Sequence, residues 1–341
     1  MAAVHGSSLS LSESADFQGA IVTDQRVSNL IFYDSTRQLR QCGVFVHIQP
    51  MPPSPNAPLP LIRPGSSLYH ALQSAPLPLR PALQAWVHWW HEISAIPLTV
   101  HDPGVAQTKL AWWHQEVRQS FEGKPSHPLT RQLFQAIAPP GKLPPLEVWL
   151  AQIEGMQVLV SQTRWLDEVS QKKHALATTG AACEGAAHLL GVRSDTALSV
   201  AHELGWGIRQ AHHLARLGQD ARLGWLHTPV NILQRHDVKA HELLRPAPGQ
   251  APEHWPALLT YLHAQARQSL KASWQAIAQL PRAERQALRP LAVLAALQIA
   301  LIDEIAAQGE RVLHERIMLT PLRKWWIATQ VRWAWFSAAE R

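Results

Sequence analysis

The sequence predicts an all-α domain, and three observations predict it. From about residue 66 onward the chain reads as long helical stretches broken by Pro and Gly, strand-period alternation is sustained nowhere, and no internal repeat appears. A hydrophobic fraction of 46% over 341 residues is ample for one large or two medium cores.

Taken in order, residues 1–65 come first. They begin rich in Ser, Gln and short polar stretches and end in the Pro-dense run "PMPPSPNAPLPLIRPG" at 50–65, which cannot hold a helix. The expectation is a disordered extension plus linker over 1–65, with Met51 as a possible alternative start, and one all-α domain over 66–341. Within that domain the spacing predicts helices near 79–96, 103–122, 127–137, 145–168, 170–191, 194–217, 255–279, 283–309 and 320–336. Pro97 falls at the end of the first, and Ser194 is placed to cap the sixth. The longest apolar stretch, "LAVLAALQIALI" at 291–302, is interrupted by Gln298 and reads as too short to span a bilayer.

Composition narrows the partners. Charged residues are only 16%, while 15 Trp and 19 His are present, so His, Gln, Ser and Thr must carry much of the polar work inside a large helix-lined interior. A net charge of +6 suits an anionic partner, but no run of five Lys/Arg appears and nucleic acid is not expected. Cys42 and Cys183 match no zinc or redox spacing, and the N-terminus lacks a secretory pattern. A reduced, cytoplasmic protein is expected, soluble or peripheral at the inner membrane face.

The stretch "RQAHHLARLGQDARLG" at 209–224 carries the most chemistry. While the helix lasts, His212, Arg216 and Asp220 share one face, which therefore presents an imidazole, a guanidinium and one carboxylate. Arg209, Arg216 and Arg222 read either as grips for an anionic headgroup or as solvated helix-end arginines. Asp220 reads as a residual metal ligand or as a carboxylate bonded to Arg216 or Arg222. His88, His91 and Glu92, with His212 and His213, could be assembled on paper into a transition-metal site, but nothing fixes further ligands and polar-core histidines are the simpler reading. Trp112 and Trp113 read as cavity wall or core. The tail "LRKWWIATQVRWAWF" interleaves Trp325, Trp326, Trp333 and Trp335 with Arg323, Lys324 and Arg332, a composition that suits either a membrane interface or a helix packed with its basic residues outward.

Six blocks in order, "LPLRPALQAWVHWWHEISAI" (77–96), "DPGVAQTKLAWWHQEVRQSFEGKPSHPL" (102–129), "IEGM" (153–156), "LLGV" (189–192), the 209–224 stretch and "GERVLHERIMLTPLRKWWIA" (309–328), resemble the squalene/phytoene synthase family over roughly 70–336. The second block also resembles a related mitochondrial complex I assembly factor. The resemblance implies an isoprenoid-synthase bundle of antiparallel helices around a central cavity. In active members two Asp-rich helices hold Mg²⁺, which binds the diphosphates of two prenyl chains and neutralises the leaving group.

Against that family pattern the acidic positions have changed. The first Asp-rich segment falls on Ser94–Ala95 and Leu98–Thr99, and Leu159 follows "IEGM" where members often place another Asp. In the second segment Asp220, Arg222 and Gly224 persist, while the first acidic position is Arg216 and the Glu is Gln219. The resemblance therefore implies Arg209, His212, Arg216 and Arg222 toward a prenyl diphosphate or other isoprenoid lipid, Asp220 toward a metal, and Mg²⁺ only if catalysis survives. Two functions follow. One is a weak or inactive relative retaining a lipid-binding or assembly role with a protein partner left open; the other is an active Mg-dependent prenyltransferase.

Overall fold

The computed structural model describes residues 62–246 and 249–337, with side chains through Ala334. Residues 1–61, and with them Cys42, Met51 and most of the expected extension, lie outside the described residues. In chain order the helices are α1 (Ser67–Gln73), a 3₁₀ turn (Leu77–Leu79), α2 (Arg80–Thr99), α3 (Pro103–Phe121), α4 (Pro128–Ala136), α5 (Leu146–Ser161), α6 (Glu168–Ala175), a π turn (Leu176–Gly180) and α7 (Ala181–Leu189). They continue with α8 (Asp195–Arg222), α9 (Val230–Arg235), α10 (Ala240–Leu244), α11 (Trp255–Gln279), α12 (Arg282–Ala287), α13 (Arg289–Gln308), α14 (Arg311–His314) and α15 (Pro321–Ser337). No strand occurs among the described residues.

The starts follow side-chain capping. Ser66, Asp102, Asp167 and Ser194 each accept a backbone N–H of the helix they precede, which fixes where α1, α3, α6 and α8 begin. Asp167 also explains why the helix expected over 145–168 stops at Ser161: a new cap has to be presented before α6. Helix α2 runs through Pro97 to Thr99, because a proline in the last turn removes one hydrogen bond while its ring is buried, and Val100 N–H still closes on the Ile96 carbonyl at 3.0 Å.

Helix α8 is the axis of the bundle, contacting α7, the π turn, α11, α13 and α14. Glycines on it allow the closest approaches. A Cβ at Gly205 would overlap the Gly180 backbone, and one at Gly218 would overlap the Leu313 carbonyl. That is why Gly218 does not end the helix, as the sequence had suggested. It is a packing glycine, and the chain turns instead at Gly224, where φ is +84°. Helix α13 is long and apolar enough to cross a membrane, longer than the 291–302 stretch suggested, but here it packs against α1, α8, α11 and α15 with Ile302 and Ile305 fully buried.

Two clusters hold the other side together. Trp86, Trp89 and Trp149 join α2 to α5, the first two rings stacked at 5.1 Å and Trp149 set edge-on to both at 4.9 and 4.6 Å. Each such buried ring contributes about 2–3 kcal/mol of apolar transfer plus its ring contacts. The block "HQEVRQSFEGKPSHP" closes on Glu116. Its buried carboxylate accepts the N–H of Ser126 at 2.9 Å, that of His127 at 2.8 Å, the Thr130 hydroxyl at 2.6 Å and the Ser126 hydroxyl. Burial pushes its pKa up, but the bonds from Ser126, Thr130 and His127 outweigh burial and hold it below the ordinary glutamate value. Glu116→Ala strands those donors and is expected to cost about 3 kcal/mol in urea unfolding. Because the folded pKa is the lower one, this contribution is complete above the unfolded glutamate pKa and disappears as pH falls through the folded value. Trp113 is buried beside the knot, whereas Trp112 is 47% exposed and belongs to neither core nor cavity wall.

Candidate functional site

A cavity of about 510 Å³ lies between α1, α2, the π turn and α7, α8 and α13, with residues 316–324 at one end. That volume lies within the range of small-molecule pockets. Trp86, Val87, Ala186, Ile208, Leu291 and Leu294 make much of its wall apolar. The basic side chains lining it are Arg209, Arg216, Arg316, Lys324, His91 and His212. None of the lining residues is an Asp or Glu.

Arg209, His212 and Arg216 reach the cavity together because they sit at i, i+3 and i+7 on α8. Arg209 is enclosed by protein. One of its terminal nitrogens donates to the Thr178 hydroxyl at 3.3 Å, while its Nε has no partner. Burial lowers its pKa to about 10, so it stays cationic at neutral pH. The π turn supplies Thr178 and brings Thr179, whose buried hydroxyl is also unpartnered, to the same lining. Trp90 Nε1 and Gln298 Oε1 are unpartnered there as well, so donors and an acceptor line an otherwise apolar space. His212 lies deep in the bundle yet keeps surface open, because that surface is the cavity wall. Burial, then Arg209 and Arg216, holds its pKa well below the usual histidine value. Cys183 also lines the cavity, and burial pushes its thiol up to about 12, which keeps it protonated and inert.

The other predicted residues sit elsewhere. Asp220 does not line this cavity. Its carboxylate pairs with Arg216 at 3.0 Å and lies 3.6 Å from His227, and burial raises its pKa despite the pull of Arg216. Arg222 is turned away and donates to the Leu313 carbonyl at 3.1 Å, so it takes no part in the cavity. Ser94 accepts from Gln152 at 2.8 Å. Glu184 pairs with His202 at 2.8 Å, and Glu92 and Glu154 are exposed. Behind Arg209, His213 and His227 stack at 4.1 Å, and His174 bonds the Gly155 carbonyl at 3.1 Å. Arg316 was missed at sequence level, and Lys324 was read only as part of the Trp-rich tail, although both lie inside the 309–328 block. Arg316 directly before the apolar "IML", with Arg323 and Lys324 shortly after, was the available signal.

Magnesium needs several converging carboxylate oxygens. Among the described residues no three His, Cys, Asp or Glu side chains stand together as metal ligands, and the one carboxylate near Arg216 is taken by it. The described residues do not fit the ion.

No curated protein matches the chain. Among solved structures, a dehydrosqualene synthase in complex with a ligand superposes with a TM-score of 0.64 at 17% identity, covering 80% of this chain and 92% of that one. The squalene synthase HpnC from Alicyclobacillus acidocaldarius follows with 0.54 at 16% identity, covering 70% and 98%. YisP from Bacillus subtilis subsp. subtilis strain 168 gives 0.53 at 17% identity, covering 77% and 89%. Identities this low show the shared isoprenoid-synthase fold. The squalene/phytoene synthase family model matches residues 61–323, most of the chain, and the protein belongs to that family.

Proposed function

We propose that the protein binds an isoprenoid or similar amphiphile with an anionic head, without using Mg²⁺, and that its head-to-head prenyl transfer is weak or absent. The observation that carries this reading is the sign of the cavity: Arg209, Arg216, Arg316 and Lys324 line it and no carboxylate does. A buried guanidinium whose Nε lacks a partner is costly unless an anion offsets it, and a phosphate or diphosphate is the acceptor that guanidinium fits best. The apolar wall would take the chain attached to that head. In such a site the cations hold the head in its ground state. Ionisation of an allylic diphosphate draws on metal charge at the leaving group, which these residues are not arranged to gather.

Family membership supports the second reading, an active Mg-dependent prenyltransferase condensing two prenyl diphosphates. One experiment separates the two. Farnesyl diphosphate is titrated calorimetrically into the purified full chain with Mg²⁺ and again with EDTA, while pyrophosphate release is followed. Binding is expected to survive EDTA, Arg209→Gln to weaken it by about tenfold or more, and pyrophosphate release to stay at background. Rapid Mg-dependent release with a condensed product, abolished in Asp220→Ala, would establish the enzyme instead. A role in assembling another protein is compatible with a stable ligand-bound bundle, and the buried, protonated Cys183 suits a cytoplasmic setting.

A further inference from the structure

Helix α15 presents its apolar residues to the wrong side for a helix that meets only water and its own bundle. Its inner face is set by Ala328 and Val331, both buried. Leu322, Trp325, Trp326 and Trp333, at i, i+3, i+4 and i+11, form one stripe on the opposite side. They are 73, 51, 54 and 73% exposed. Single exposed apolar residues are ordinary, but three indoles and a leucine aligned along three turns of one helix side, broken only by Thr329, form an apolar stripe.

The chemistry around the stripe identifies its occupant. Residues 321–337 contain no Asp or Glu. Arg323 and Arg332 flank the stripe on its two sides. Arg323 is paired with Glu304, whereas Arg332 bonds the Gln73 carbonyl at 3.0 Å and keeps its charge uncompensated by any carboxylate among the described residues. Arg316, close by, has no ion pair there either. Indoles with basic neighbours match the headgroup layer of an anionic bilayer, where the ring's apolar body sinks and the N–H stays wet. Met318, in the segment that leads into α15, is 60% exposed and lines the cavity.

We infer that α15 docks the protein on an anionic lipid bilayer through Leu322, Trp325, Trp326 and Trp333. This surface stands apart from the identity of the cavity ligand, and each can fail without the other.

The test is flotation of the full chain with vesicles of phosphatidylcholine and with vesicles of phosphatidylcholine mixed with phosphatidylglycerol. The protein is expected to float with the mixed vesicles, less so at high salt, and W325S/W326S/W333S to lower the bound fraction about tenfold with an unchanged melting temperature. Trp333→Ser alone, in the last turns of the helix, is expected to lower it by about threefold and guards against misfolding of the triple variant. Three results would overturn the inference: wild-type protein left unbound by both vesicle types, variants that float as well as wild type, or a wild-type dimer that the triple variant converts to monomer without vesicle binding.

Discussion

Gly218→Ala is expected to be among the most destabilising single-methyl changes in the protein, lowering unfolding free energy by about 2–4 kcal/mol despite the better helix propensity of alanine. The added Cβ would sit 2.5 Å from the Leu313 carbonyl carbon and 2.6 Å from the Val312 oxygen, and both are backbone atoms with no rotamer to yield. Helix α14 would have to leave α8, dragging with it the Arg222 bond to Leu313. Gly205→Ala should behave alike, since its Cβ would meet Thr179 C at 2.6 Å inside the π turn. Gly207→Ala should cost less, because its contacts, Leu270 Cγ at 2.9 Å and the Leu270 backbone nitrogen at 3.0 Å, are longer than those at 205 and 218. Gly104→Ala, near the exposed start of α3, should be neutral or slightly stabilising. Denaturant midpoints of the four variants check the ranking, and equal costs at 104 and 218 would refute it.

The second large effect is acid lability. Burial, reinforced by Arg209, holds His174 at about 4 and His227 at about 3, and it keeps His212 and His213 well below the usual value. Since each folded pKa lies below the unfolded value near 6.5, the neutral rings favour the folded state fully above that pH. Their contribution is lost as pH falls below it toward the folded pKa. His227 alone, with its side chain 15% exposed, is worth about 2 kcal/mol of lost stability by pH 5. His174 and His213 add to this, while His212, whose ring is open to the cavity, adds little, so the melting temperature should drop steeply between about pH 6.5 and 4.5. His227→Asn should flatten that slope by about one proton. A flat melting profile across this range would rule out the neutral histidine layer. The Glu116 knot does not confuse the reading, because its contribution changes only at lower pH.

Most helices were legible because Pro, Gly and capping residues punctuate the chain, and periodicity fills the spans between. What escaped was tertiary in origin. Gly218 looked like a stop until the backbone it packs against was known. The helices α1, α9 and α10 are too short for a periodic signal. At the site, His212, Arg216 and Asp220 were legible as one face of one helix, but the cavity ends before that helix does. Asp220 therefore lies beyond the cavity, beside His227, and Arg222, thirteen positions after Arg209, points about 220° around the axis. Arg316 and Lys324 reach the same space from a distant segment, which no spacing rule connects to residue 209.

The five residues Leu176–Gly180 amount to a phase change in the rod formed by α6 and α7. A π turn takes up one residue more than an α turn, so every side chain after it is rotated by about 100° from where uninterrupted counting would put it. Ala182, Cys183 and Ala186 meet the cavity, and Gly185 meets Trp86, on this shifted register. A single-residue deletion here would close the π turn to an α turn and leave α7 in register, whereas the same deletion elsewhere in the rod would rotate every side chain after it by about 100°. Length, along this rod, is as much a determinant of what the interior looks like as residue identity.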